Sequence, residues 1–111
     1  MSGFSIPDLV ILSGATESGA LSGIFENARA ITIWSPDTLP ETVTVHSAPE
    51  STADFDPHQS GGADITLPAA KATTIDLAGT IGSLKLVAGG AVAADRTFKA
   101  RLFEDVGPLS Y

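Results

Sequence analysis

The chain has 111 residues, of which 43% are hydrophobic, and this composition suffices for one small domain with a modest core. Its 13 acidic and 6 basic residues give a net charge of −7, which opposes the phosphate neutralisation that nucleic-acid binding needs and disfavours anionic membrane surfaces. The chain contains no cysteine, which excludes disulfides and thiolate chemistry.

The beginning of the chain differs in composition from the rest. Residues 1–8, which include Pro7, predict an N-terminal arm that would become ordered against a neighbouring molecule. The aliphatic run 9–12 does not alternate with polar residues, so it predicts a strand buried on both faces, and it is too short to span a bilayer. The small, polar residues 13–23 predict a loop or an edge strand. Because the first 28 residues contain no Lys or Arg, the positive start of a secretory signal is missing and we expect a protein made in the cytoplasm.

From residue 29 onward, apolar and polar residues alternate with a period of two. This alternation predicts six strands, at residues 29–34, 42–46, 64–67, 74–77, 83–86 and 97–102. Pro and Gly residues between them predict turns. Strands with one apolar and one polar face are typical of antiparallel sheets. We therefore predict an all-β fold: an antiparallel, jelly-roll-like β-sandwich with short loops that forms a single domain over residues 9–111. Single helical turns at 24–28 and 88–95 remain alternatives.

The segment Asp54-Phe55-Asp56-Pro57-His58 contains the densest group of candidate metal ligands. Two carboxylates and an imidazole are ligands that calcium or zinc accepts. A calcium loop, however, needs more oxygen ligands and a glycine for its bend, and neither is present in register. Asp56-Pro57 is also a common start of a turn. We therefore interpret the segment as a solvated loop and predict no metal and no other cofactor.

The sequence contains no recognisable catalytic motif. His46 and His58 are the only histidines, and no G-x-S-x-G sequence supplies an exposed nucleophile for a hydrolytic triad. His46 lies on the polar face of a predicted strand, between two threonines, where we expect surface exposure. We therefore predict that the protein is not an enzyme.

Trp34 is the residue that the predicted core does not explain. Alternation places it on the face opposite to Ile31 and Ile33. An exposed aromatic residue is a frequent anchor of an interface or a platform for a sugar, whereas a covering loop, the N-terminal arm or a bulge would bury it. The predicted partner interface consists of Phe4, Ile6, Pro7 and Trp34.

Four segments in this order carry a resemblance to a known class of proteins. They are Ile33-Trp34-Ser35-Pro36, Glu41-Thr42-Val43-Thr44-Val45, Gln59-Ser60-Gly61-Gly62-Ala63-Asp64-Ile65-Thr66-Leu67 and Ala94-Asp95-Arg96-Thr97-Phe98-Lys99-Ala100. The series resembles small virion structural proteins of tailed bacteriophages that decorate or cement capsids, and the similarity covers about residues 29–103. The resemblance implies a β-sandwich that binds assembled major capsid protein, often as a homotrimer at local three-fold positions, and it implies no catalytic residues.

We therefore expect a capsid decoration or cement protein that is made in the host cytoplasm and located in the virion. Its expected partner is the major capsid protein, its expected oligomer is a homotrimer, and neither nucleic acid nor membrane is an expected partner. Two alternatives remain open: a small carbohydrate- or surface-binding module, and a neck or tail structural protein of a phage particle.

Overall fold

The structure of the protein is a computed structural model that describes residues 2–50, 54–60, 62–77 and 81–104. These ranges contain strands, turns and extended segments, and they contain no helix. The strands are β1 (Ser2–Ile11), β2 (Leu21–Ser22), β3 (Ala28–Trp34), β4 (Val43–Ala48), β5 (Asp56–Pro57), β6 (Gln59–Ser60), β7 (Ala63–Asp64), β8 (Thr66–Leu67), β9 (Ala72–Asp76), β10 (Ser83–Ala88) and β11 (Arg96–Glu104). The predicted all-β class is confirmed.

Four strands form an antiparallel sheet in the order β1-β11-β3-β9. On β11, Leu102 lies opposite Ile31 of β3, and Ala100 lies opposite Ile6 of β1. Ile31 in turn lies opposite Ile75 of β9. Because directly opposite residues in an antiparallel pair point to the same side, these apolar residues share the face that is turned toward the core.

The edge strand β1 contains a bulge. Ile6 lies opposite Ala100 and Leu9 lies opposite Phe98, so between these two pairs β1 contains one residue more than β11. Pro7 falls within the bulge, where the absence of an N–H group does not interrupt the ladder. A proline is thus tolerated within this long strand because the strand lies at the edge of the sheet and is irregular at Pro7.

The N-terminal segment differs from its prediction in two respects. Residues 2–8 form the first part of β1, and residues 2–6 among them pair with β11, so the expected arm at residues 1–8 is not confirmed. The prediction that residues 9–12 are buried on both faces is wrong. Leu9 and Ile11 are buried, Val10 is partly exposed, and Leu12 is 60% exposed. As an edge strand that covers one side of the core, β1 has one buried face.

The second antiparallel sheet has the strand order β2-β10-β4-β5, and β8 also pairs with β4. Its two long strands pair over their full lengths, from Ser83 opposite Ala48 to Ala88 opposite Val43. A separate two-stranded ribbon is formed by β6 and β7. The end of the domain predicted at 9–111 includes residues 105–111, which lie outside the described ranges.

Buried side chains from both sheets belong to one hydrophobic core cluster. The largest fully buried side chains are those of Phe25, Phe98, Leu9, Ile11, Ile31, Ile33, Leu67, Leu77, Leu84, Leu86, Leu102 and Val43. The core is mostly aliphatic, and each of these side chains contributes about 1.5–3 kcal/mol through removal of apolar surface from water.

An ion pair joins the start of β11 to the loop before β4. The guanidinium of Arg96 donates hydrogen bonds to both carboxylate oxygens of Glu41, at 3.0 and 3.2 Å. This hydrogen bonding holds the pKa of the Glu41 carboxyl below its ordinary value. The pair is a charged contact between two segments that are far apart in sequence.

All six predicted strands overlap strands of the structure, with different ends. The predicted strand at 64–67 is interrupted at Ile65: Asp64 ends β7, and Thr66–Leu67 form β8. Ile65 itself makes backbone hydrogen bonds with His58 and Val45. The alternative helical turns at 24–28 and 88–95 are absent: both segments are turns, bends and strand ends. The part of the chain that the structure describes has no helical segment that could span a bilayer.

Candidate functional site

Trp34 is the last residue of β3 and lies on the outer face of the four-stranded sheet. It is placed between Lys99 of β11 and Ala72 of β9 in the ladder. The two isoleucines at alternate positions before it, Ile31 and Ile33, are fully buried, whereas Trp34 is 42% exposed. In the structure, Trp34 therefore points away from the core, as the alternation predicts.

A shallow depression beside the indole is lined by Trp34, Lys99, Ala100 and Arg101, and we call these four residues the Trp34 surface. Lys99 and Arg101 alternate along β11 with buried residues, so both cationic side chains belong to the outer face. The side chain of Lys99 is 77% exposed, and its Nζ lies 3.9 Å from Oδ2 of Asp8. Two cations and a large aromatic ring are thus adjacent on one sheet face.

The neighbouring row of the same face is polar. Thr32 of β3 lies opposite Arg101 on one side and opposite Thr74 on the other. The hydroxyls of Thr32 and Thr74 are 2.8 Å apart and hydrogen-bonded to each other. Thr32 is only 8% exposed, so its neighbours on this face cover it almost completely.

The structure places three of the four predicted interface residues, Ile6, Pro7 and Trp34, in different environments. Ile6 lies opposite Ala100 on the core side of the sheet and packs against the core. Pro7 is exposed in the bulge of β1. The backbone of Phe4 pairs with Leu102, while its side chain lies outside the described part of the chain. Among the three whose side chains the structure describes, Trp34 provides the large exposed side chain on the sheet face.

A second polar cluster lies in the five-stranded sheet and was not anticipated from the sequence. Ser47 Oγ of β4 and His58 Nδ1 are 2.8 Å apart and hydrogen-bonded. Asp56 of β5 lies opposite Ser47 in the ladder, and all three residues line one shallow depression. A triad requires the carboxylate to orient the imidazole. Within the described residues, hydrogen bonding joins His58 to Ser47 and not to Asp56, so the pair ties β4 to the segment after β5.

His46 is half-buried on β4, beside Lys85 of the paired strand β10. Burial lowers the pKa of His46 below its ordinary value of about 6.5, and the Lys85 ammonium acts in the same direction. Lys85 itself lies between the Glu17 carboxylate, at 3.1 Å, and the ring of Phe55, at 4.5 Å from the centroid. His46 is thus less exposed than its place on the polar face of a predicted strand suggested.

The candidate metal ligands of the segment Asp54–His58 do not form a metal site. Asp56 and Pro57 form β5, and His58 is bound to Ser47. Within the ranges that the structure describes, no group of three or more His, Asp or Glu side chains is placed to hold a metal ion.

Comparison with known proteins gives no family for this chain: no protein-family model, curated protein or solved structure matches it.

Proposed function

We propose that this protein is a structural protein of a tailed-phage virion that decorates or cements the capsid by binding assembled major capsid protein. The proposal includes a jelly-roll-like arrangement of the two sheets, a homotrimeric state and a role without catalysis. Two things support it: the resemblance carried by residues 29–103 and the Trp34 surface. The observation that carries the proposal is the exposed indole of Trp34 on the outer face of the four-stranded sheet.

The physical reason is that Trp34 offers a large contact area at low entropic cost. Its strand is paired on both sides, so the backbone that carries the ring is already ordered before any partner binds. Tryptophan and arginine are enriched among the residues that dominate binding energy in protein interfaces. A paired sheet strand that presents Trp34 beside Arg101 therefore suits a partner that is also a folded protein surface.

A decoration protein acts through many modest interfaces. A specific interface of this kind buries about 1,000 Å2 or more. A protein that binds the assembled shell and not the free subunit stabilises the shell by mass action. This role needs a stable, soluble domain with one good contact surface, and it needs no chemistry.

The test is to purify the phage particles and count the copies of the chain by quantitative mass spectrometry. We expect hundreds of copies per particle. A stoichiometry of about six to twelve copies would assign the chain to a ring at the neck or tail, since such rings have closed cyclic symmetry. Absence of the chain from the particles would refute a virion role altogether.

The second candidate function is a small carbohydrate-binding module of a phage particle, and the specific observation that favours it is again the exposed Trp34 ring beside a depression. Binding on a glycan array that is lost in Trp34→Ala would support this alternative. A protein that binds no sugar on the array but is abundant on the capsid would exclude it.

A further inference from the structure

We infer that the Trp34 surface recognises an extended acidic segment of a protein, in which carboxylates at alternate positions face Lys99 and Arg101. The inference rests on the proposed function and adds the chemical class of the surface that the shell presents. It assigns the indole as the apolar anchor and the two cations as the groups that select the ligand.

The distribution of charge is the first argument. The chain carries a net charge of −7, yet both charged side chains that line the depression are cations. The positive charge beside Trp34 is therefore opposite in sign to the net charge of the molecule. A local positive site on an acidic protein selects an anionic ligand.

The spacing is the second argument. Lys99 and Arg101 are two residues apart on β11, which separates their Cα atoms by roughly 7 Å along the strand. Carboxylates at alternate positions of an extended peptide have the same separation, because they also lie on one face of a strand. An acidic strand or loop with this pattern can therefore meet both cations at once while an apolar group contacts the indole.

Asp8 is the third argument. Its Oδ2 lies 3.9 Å from Lys99 Nζ, and the two side chains are 42% and 77% exposed. A carboxylate at this distance from an exposed ammonium shows that the position beside Lys99 accepts a carboxylate, and the contact is loose enough for another carboxylate to replace it. Asp8 therefore competes with the ligand for Lys99.

The probe is a synthetic peptide with Glu at alternate positions, and the matched probe has Gln at the same positions. Trp34 is the only tryptophan, so its fluorescence reports directly on the site, and calorimetry serves for variants that lack it. We expect the Glu peptide to bind and the Gln peptide to bind about tenfold more weakly or not at all. Equal binding of the two peptides would overturn the inference.

Three variants and one control separate the contributions. Lys99→Ala should weaken binding of the Glu peptide by about two- to fivefold, and Trp34→Ala by about tenfold or more. Asp8→Asn should strengthen binding by about twofold or more, a gain that misfolding cannot produce. Thr66→Glu is the control. It makes the net charge more negative by the same amount as Lys99→Ala but lies exposed on β8 of the other sheet, so binding should change by less than about twofold.

Several results would contradict the inference. An equal loss in Thr66→Glu and Lys99→Ala would mean that only the net charge matters. No gain in Asp8→Asn would remove the assigned role of Asp8. Binding of a uronic-acid polymer such as alginate together with no binding of the Glu peptide would replace the acidic protein segment by an anionic polysaccharide.

The proposed function and this inference can fail separately. If particles carry many copies and Lys99→Ala and Trp34→Ala assemble onto shells as the parent protein does, the inference is wrong and the structural role stands. If the Glu peptide binds at Trp34 but the particles lack the chain, the acidic ligand stands and the virion role is wrong.

Discussion

At the scale of single residues, two leucines three positions apart have opposite environments. Leu9 is 2% exposed and belongs to the core, whereas Leu12 is 60% exposed. The first prediction compares them: Leu9→Ala should lower the free energy of unfolding by about 2–5 kcal/mol, and Leu12→Ala by less than about 0.5 kcal/mol. The measurement is chemical denaturation of both variants. Equal effects would mean that β1 does not cover the core at Leu9.

Trp34 is another residue whose environment is decided by its neighbours. Alternation within β3 is enough to direct the indole away from Ile31 and Ile33. Its position beside two cations depends on β11, whose residues lie more than 60 positions later in the chain. The sequence signal for Lys99 and Arg101 is that both fall between apolar residues of one predicted strand, but nothing local pairs that strand with β3.

At the scale of elements, β1 shows how a proline changes the alternation of buried and exposed residues along a strand. Ile6, Leu9 and Ile11 all face the core side, although a strict period of two would put Ile6 and Leu9 on opposite faces. The bulge at Pro7 adds one residue and restores the phase. A one-residue shift in alternation that coincides with a proline therefore predicts a bulged edge strand. The prediction of an arm at residues 1–8 did not take this pattern into account.

The segment after β4 lies close to the start of β10, and this close packing depends on Gly82. Gly82 donates its N–H to the carbonyl oxygen of Ala48 at 2.9 Å. A Cβ atom on Gly82 would overlap the carbonyl oxygen of Pro49 and lie 2.7 Å from its carbonyl carbon. These are backbone atoms, which cannot move aside without displacing the chain.

The second prediction follows from this approach. Gly82→Ala should destabilise the protein by about 2–3 kcal/mol, because the two segments must separate. Gly90→Ala is the matched control, since an added Cβ there meets no atom within 4 Å, and its effect should be below about 1 kcal/mol in either direction. Thermal unfolding of both variants is the measurement. A Gly82→Ala protein as stable as the control would show that β10 does not start against Pro49.

At the scale of the whole molecule, two titratable groups link stability to pH in the same direction. Burial lowers the pKa of His46 relative to the unfolded chain, so the unfolded state binds the proton more readily and stability falls as the pH drops below about 6.5. The hydrogen bonds from Arg96 lower the pKa of Glu41, so its contribution is present above its unfolded value of about 4.5 and is lost as the pH falls below it.

The third prediction concerns the upper part of this pH range, where His46 titrates. His46→Gln should flatten the dependence of unfolding free energy on pH between about 7.5 and 5.5 and leave the decline below about 4.5 in place. The comparison with the parent protein at each pH cancels the general change in net charge, which both share. The carboxylates of Asp64, Asp56 and Glu17 oppose the shift at His46, and Lys85 reinforces the effect of burial. An unchanged slope in His46→Gln would mean that the imidazole titrates alike in the folded and unfolded chain.

The sequence by itself determined the all-β class, the approximate positions of six strands and the outward direction of Trp34. All three depend on the period-2 placement of side chains, which is a local property that any extended segment expresses wherever it lies in the fold. The tertiary structure alone decided the order β1-β11-β3-β9, the bulge at Pro7 and the pairing of Ser47 with His58. It also decided that Lys99 and Arg101 lie beside the indole. These features join segments distant in the chain, and pairing between them is settled by register and by packing of the whole core, which no short stretch of sequence encodes.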